Sequence, residues 1–180
     1  MKKLKLFFIT FFTLFSFNSF SQWACYPMGQ GASNVCGWAC YSGHQGQDWQ
    51  YTPNNTSYGQ NIYAVADGVV TAMVTGFTGC DDPFIAGGLD WAQPTNLIII
   101  YHSSVNRYTR YLHIKSEVPG LTVGSTVNKG DVIAYIGNVG PISPCNNTNP
   151  NINAHLHFEI GTGQSGNSLT GRYDPTGDFT

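Results

Sequence analysis

The stretch His155-Leu156-His157-Phe158-Glu159-Ile160 decides how this chain is read. Polar and apolar residues alternate through it, the period of a strand with one buried and one open face. Leu156, Phe158 and Ile160 belong to the core face. His155, His157 and Glu159 then point together to the other side. Two imidazoles on one side of a strand suit a metal or acid–base site, and equally a polar surface.

Outward from this strand, the same grammar recurs. Leu97-Ile98-Ile99-Ile100-Tyr101 is a run apolar enough to be buried on both faces. Residues 107–114 read as a strand with Arg107, Thr109, Tyr111 and His113 on one face. Tyr108, Arg110, Leu112 and Ile114 take the other face. Residues 131–136 form a mostly apolar run between Gly130 and Gly137. Two β-rich runs, 61–65 and 69–75, meet at Asp67-Gly68, which predicts a hairpin. Residues 66–70 and 129–133 echo each other as turn-then-strand units. Two long loops, 76–94 and 137–153, precede histidine-bearing strands, and loops of that length commonly wall a site. No segment after residue 21 has a sustained 3.6-residue period. All 21 Gly, nine Pro and ten Tyr lie there. Together these features predict an all-β domain and exclude a helical bundle.

The first 21 residues differ. Lys2, Lys3 and Lys5 precede an apolar stretch, 6–20, that ends in Ser19-Phe20-Ser21. This is the pattern of a secretory signal peptide over 1–21, cut after Ser21. The stretch is short for a membrane span and interrupted by Thr, Ser and Asn. The expectation is export to the periplasm or beyond, with no stable membrane span after cleavage. Residues 22–180 are expected to form a single domain with its core at about 43–160. They hold five basic and ten acidic residues, a net charge of −5 with His neutral. No basic footprint for nucleic acid exists. All five Cys (25, 36, 40, 80 and 145) lie in this exported part, so disulfides are expected with one thiol over. No Cys-x-x-Cys pair is present, which argues against a zinc ribbon.

Two further motifs carry chemistry. In Gly43-His44-Gln45-Gly46-Gln47-Asp48 an imidazole and a carboxylate lie four residues apart. The glycines disfavour a helix, so the segment is a loop or extended; alone it is also compatible with an ordinary turn. Tyr111-Leu112-His113 adds another imidazole, with Tyr111 read as a packed aromatic or an oxyanion donor. His102, at the end of an apolar strand, reads as a capping or edge residue. The chain thus offers three candidate metal ligands, His44, Asp48 and His157, and two further imidazoles, His113 and His155. A catalytic zinc takes three protein ligands and keeps one position open for water. Hydrolysis needs a base and a proton donor beside it.

In this order, these motifs resemble the lysostaphin, LytM and LasA type of zinc endopeptidases, peptidase family M23. His44-x-Gly-x-Asp48 is similar to the first ligand motif of that family, and residues 62–70 to its following hairpin. Tyr111-Leu112-His113-Ile114 resembles its middle His motif. Residues 127–137 resemble the turn and strand before the last motif, and His155-Leu156-His157-Phe158-Glu159 the last motif itself. The resemblance implies zinc on His44, Asp48 and His157, with His113 and His155 catalytic. It implies an antiparallel two-sheet groove of the duplicated hybrid-motif type, with long loops around the zinc site. It implies a peptidoglycan peptide substrate, cut at glycyl bridges or D-amino-acid cross-links, and the chain is expected to act as a monomer. Glu159 would then orient a ligand or stand solvated. LasA-like relatives bridge similar loops, which implies Cys80–Cys145 and leaves Cys25 to pair with Cys36 or Cys40. The spare thiol near His44 would then be placed to cap the zinc. Only residues 22–43 precede the first motif and 161–180 follow the last, so neither a long pro-segment nor a wall-binding module is expected. Two other readings share these residues: a secreted protease of Gly-rich proteins, and a non-catalytic relative that binds the wall or activates another hydrolase.

Overall fold

A computed structural model describes residues 22–51, 56–81 and 94–180. The signal segment 1–21 and residues 82–93 of the first long loop lie outside the described residues. Thirteen strands follow in chain order: β1 (Ala32–Cys36), β2 (Gln47–Tyr51), β3 (Asn61–Tyr63), β4 (Gly68–Val74), β5 (Cys80–Asp81), β6 (Leu97–His102), β7 (Arg107–Leu112), β8 (Ile114–Glu117), β9 (Thr126–Val127), β10 (Val132–Ile136), β11 (Gly140–Pro141), β12 (Leu156–Ser165) and β13 (Ser168–Tyr173). The described residues contain no α-helix, only a 3-10 turn at Pro175–Gly177. No helix among them is long and apolar enough to cross a membrane.

The large sheet runs β1-β2-β12-β7-β6-β4-β9, with β13 also paired to β12; a smaller sheet runs β3-β10-β8. Every pairing within these two sheets is antiparallel. The short pair β5 and β11 is parallel and ties the two long loops together. One apolar cluster joins the sheets: Ile62, Ile133 and Ile136 from the small sheet, and Ile98, Ile100, Tyr111, Leu156, Phe158 and Ile160 from the large one. Fully burying Phe158 contributes about 1.5–3 kcal/mol. Leu97, Ile99 and Leu112 fill a second cluster with Ala72 and Leu169. Strand β6 is therefore buried on both faces, as its unbroken apolar run predicts.

The hairpin expected at Asp67-Gly68 does not form. Strand β3 pairs with β10 and β4 with β6 and β9, so the segment crosses between sheets. A tight hairpin turn of the Asp-Gly kind needs left-handed backbone at both central residues. Neither Asp67 nor Gly68 has a positive φ. Gly68 serves close approach instead: a Cβ there would lie 2.7 Å from the Tyr101 carbonyl oxygen. The two echoing turns do meet, because Asp67 Oδ1 accepts from the Lys129 backbone N–H at 2.7 Å.

His102 is not an edge residue. It is fully buried at the end of β6. Its Nδ1 lies 2.9 Å from the Asp67 carbonyl and its Nε2 2.8 Å from Thr109 Oγ1. Burial pushes its pKa down, so it is neutral and pins the inter-sheet crossing to β7.

Disulfides join Cys80 to Cys145 and Cys36 to Cys40. The first is the bridge that the family resemblance implies. The second replaces the expected pairing of Cys25, because Cys36 and Cys40 close their own short loop with Cα atoms 5.7 Å apart. Cys25 is the free thiol, directed at the Ala64 carbonyl. The two cysteines near His44 are thus bridged to each other, and neither is the spare thiol expected there.

Candidate metal centre

The site is assembled by strand register. In the β2–β12 pair, Asp48 stands directly opposite His157. Cross-strand neighbours of this kind have Cβ atoms about 4.5–5.5 Å apart, and the side chains meet: His157 Nδ1 is 2.8 Å from Asp48 Oδ1. His44 enters from the turn before β2. Its Nε2 lies 3.1 Å from both Asp48 Oδ1 and His157 Nδ1. Gly46 makes the approach possible, since a Cβ there would lie 2.6 Å from His157 Nε2 and from the Phe158 carbonyl oxygen.

Two imidazole nitrogens and a carboxylate oxygen thus converge within hydrogen-bond range of one another. They belong to His44, Asp48 and His157, the three ligands expected from the sequence. This is the donor chemistry of a catalytic zinc site. Each ring is held from behind. His44 Nδ1 donates to the Gly37 carbonyl at 2.9 Å, inside the loop closed by Cys36–Cys40. His157 Nε2 lies 3.3 Å from Glu159 Oε1. Such outer partners fix the tautomer that leaves the other nitrogen to a metal. Cys36 and Cys40 also approach His44, but as a disulfide they offer no thiolate.

The charges agree. Burial pushes the Asp48 carboxyl up, but hydrogen bonds from His157 and His44 outweigh it and hold it well below the usual carboxylate range. Burial pushes His157 down, and its bonds to Asp48 and Glu159 more than reverse this, raising it to about 9 without metal. Glu159 is buried rather than solvated. Burial raises its pKa, while His157, Arg110 and Arg172 bring it below the ordinary value.

His113 and His155 reach the same place by different routes. Strand β7 ends at Leu112, and His113 takes a left-handed backbone with φ 61°. The single-face reading of Tyr111 with His113 therefore fails. The left-handed residue breaks the alternation, sending His113 into the groove while Tyr111 stays fully buried in the core. Tyr111 accepts from the Val65 N–H at 3.1 Å and does not line the groove. His113 Nδ1 donates to the Val139 carbonyl at 2.9 Å, and His155 Nδ1 to the Asn153 carbonyl at 2.8 Å. Both bonds leave Nε2 as the unprotonated nitrogen. The two rings are 4.8 Å apart by centroid, and His155 Nε2 is 3.8 Å from Asp48 Oδ1. Burial, aided by the neighbouring imidazoles, pushes His113 down to about 3. His113 and Asn153, two of the four non-Gly residues with positive φ, line this site. Backbone held in such regions costs about 1–3 kcal/mol and clusters at functional sites.

The five side chains line one groove of ≈ 840 Å³. Arg110, Thr95 and Arg172 also line it and were not singled out from sequence. Arg110 stands opposite Glu159 in the β7–β12 pair, a register that no local pattern reveals.

The chain is similar to several solved structures. A zinc-containing peptidase from Vibrio cholerae shares 24% identity and a TM-score of 0.52, over 77% of this chain and 36% of that one. This chain thus spans about a third of that protein. LytU shares 24% identity and a TM-score of 0.52, over 86% of this chain and 88% of that one. A variant of the catalytic domain of EnpA, a prophage-encoded M23 protein from Enterococcus faecalis, shares 16% identity and a TM-score of 0.56, over 85% and 95%. These likenesses establish the fold. No curated protein sequence matches at a significant level. The family model for peptidase family M23 matches residues 42–169, from the turn before His44 into β13. The chain belongs to peptidase family M23.

Proposed function

We propose that this chain is an exported, zinc-dependent endopeptidase that hydrolyses peptide bonds in peptidoglycan cross-links. One observation carries the reading. His44, Asp48 and His157 turn three donor atoms toward one point, and His113 and His155, each with Nδ1 committed to a backbone carbonyl, line the same groove. The donor set fits zinc, the metal named for the Vibrio cholerae neighbour. When bound, zinc supplies an acidified water and a Lewis acid for the scissile carbonyl.

The chain's own residues do the rest. His155 or His113, each with Nδ1–H committed to a backbone carbonyl, takes the water proton at Nε2. The other imidazole stands over the carbonyl oxygen as it gains charge, and a protonated imidazole returns its proton to the departing amine. Asp48, His44 and His157 hold the metal. Glu159 orients His157 from behind. Residues 1–21 would deliver the chain across the cytoplasmic membrane and be removed.

The test is mass spectrometry of fragments released from two purified peptidoglycans, one with glycine bridges and one directly cross-linked, each with and without a zinc chelator. Chelator-sensitive release is the expected result. No release from either wall, with cleavage of Gly-rich protein instead, would overturn the wall assignment.

A further inference from the structure

Beyond His157, strand β12 brings one more side chain to the groove, Glu159, and the floor changes character there. Glu159 sits between two arginines from the neighbouring strands. Arg110 Nη1 donates to it at 3.3 and 3.4 Å, and Arg172 Nη1 at 3.1 Å. One carboxylate against two guanidiniums leaves an excess positive charge. Residues 22–180 contain only five basic residues, and two of them line this groove. Neutralising Glu159 needs only one.

The fork of each arginine is largely unused. Both engage Glu159 through Nη1 alone, and among the described residues neither Nη2 has a partner. Arg110 Nε is buried with no acceptor. Both Nη2 groups stay open to solvent, so a carboxylate arriving from outside can reach them. A guanidinium is shaped to receive one with two parallel bonds. Both side chains remain reachable, at 12% and 24% exposure.

Position defines the ligand. Glu159 is two residues past His157 on β12, about 7 Å along the strand and on the side away from His155. An extended peptide advances about 3.3–3.6 Å per residue. We propose that Arg110 and Arg172, held side by side by Glu159, form a carboxylate-binding subsite. The peptide cut at this groove then carries a free carboxylate about two residues from the scissile amide. A glycine bridge, uncharged along its length, is the disfavoured substrate. The proposal rests on the endopeptidase reading above and selects among its substrates.

The test separates the two. The probes are a directly cross-linked peptide dimer with free carboxyls beside its cross-link, and the same dimer with those carboxyls converted to carboxamides. Binding of each to the chelator-treated protein is measured by calorimetry, and cleavage of each by the zinc-loaded protein is followed separately. The free acid is expected to bind about tenfold or more tightly than the amide. Arg172→Gln is expected to bring that ratio close to one, while Arg172→Lys, which keeps the charge but not the fork, falls between. Arg110→Gln is made in parallel, so that one variant failing to fold leaves the other to read. A merely structural role would weaken both dimers equally. Equal affinity for acid and amide, including no binding of either, overturns the subsite, as does a ratio that survives both Gln variants. The expected ratio without zinc-dependent cleavage supports the subsite and overturns the endopeptidase reading instead.

Discussion

His157 is gripped at both ring nitrogens by carboxylates, with Asp48 Oδ1 2.8 Å from Nδ1 and Glu159 Oε1 3.3 Å from Nε2. One carboxylate stands across the strand pair, 3.1 Å from His44 Nε2. The other is buried behind the ring and tied to two arginines. The ring's orientation is therefore set before any metal arrives. Glu159→Gln is expected to keep the fold but weaken zinc affinity about 10–100-fold. Zinc titration against a competing chelator checks this; unchanged affinity would remove Glu159 from the account.

Gly46 is the spacer that lets the His44 turn pass the His157 ring. Gly46→Ala places a Cβ 2.6 Å from His157 Nε2 and from a backbone oxygen of β12, so the ring must move. A displacement near 1 Å at such a centre costs on the order of 10²-fold in rate. Activity measured beside a thermal melt distinguishes this from unfolding. Near wild-type turnover would show that the ring tolerates the shift.

His113→Ala and His155→Ala are expected to keep zinc and lose about 10²–10⁴-fold in hydrolysis. Metal content and rate are measured on the same preparations. Wild-type rates in both would refute a proton-transfer role for either imidazole.

His102 belongs to stability and not to chemistry. Its folded pKa lies below its ordinary value of about 6.5, mainly through burial. Below that pH the unfolded chain takes a proton that the folded chain refuses. Its stabilising contribution is therefore complete above about pH 6.5 and is lost as pH falls from there through the lower folded pKa. His102→Gln is expected to lower Tm at pH 7 but to narrow the Tm difference between pH 7 and pH 5. Turnover per folded molecule should stay within about twofold. An unchanged pH slope would contradict the assignment.

What could be read from the sequence was whatever depends on local period. Alternation alone separates His155, His157 and Glu159 from Leu156, Phe158 and Ile160, and the structure keeps that division. The apolar run of β6 likewise announces burial on both faces. Long-range choices were not legible. Asp67-Gly68 looks like a hairpin because its flanks are β-rich, yet their partners lie elsewhere in the chain. Tyr111 and His113 share a face only if the strand continues, and a left-handed backbone at His113 ends it. Arg110 and Arg172 gain meaning only from the register that sets them around Glu159.

The most direct test of the centre is the zinc content of purified wild-type protein and of Asp48→Ala, measured by elemental analysis after dialysis. One zinc per chain in the wild type, lost in Asp48→Ala, is the predicted result. A metal-free wild type that takes up no added zinc, or an Asp48→Ala protein that retains a full equivalent, would contradict it.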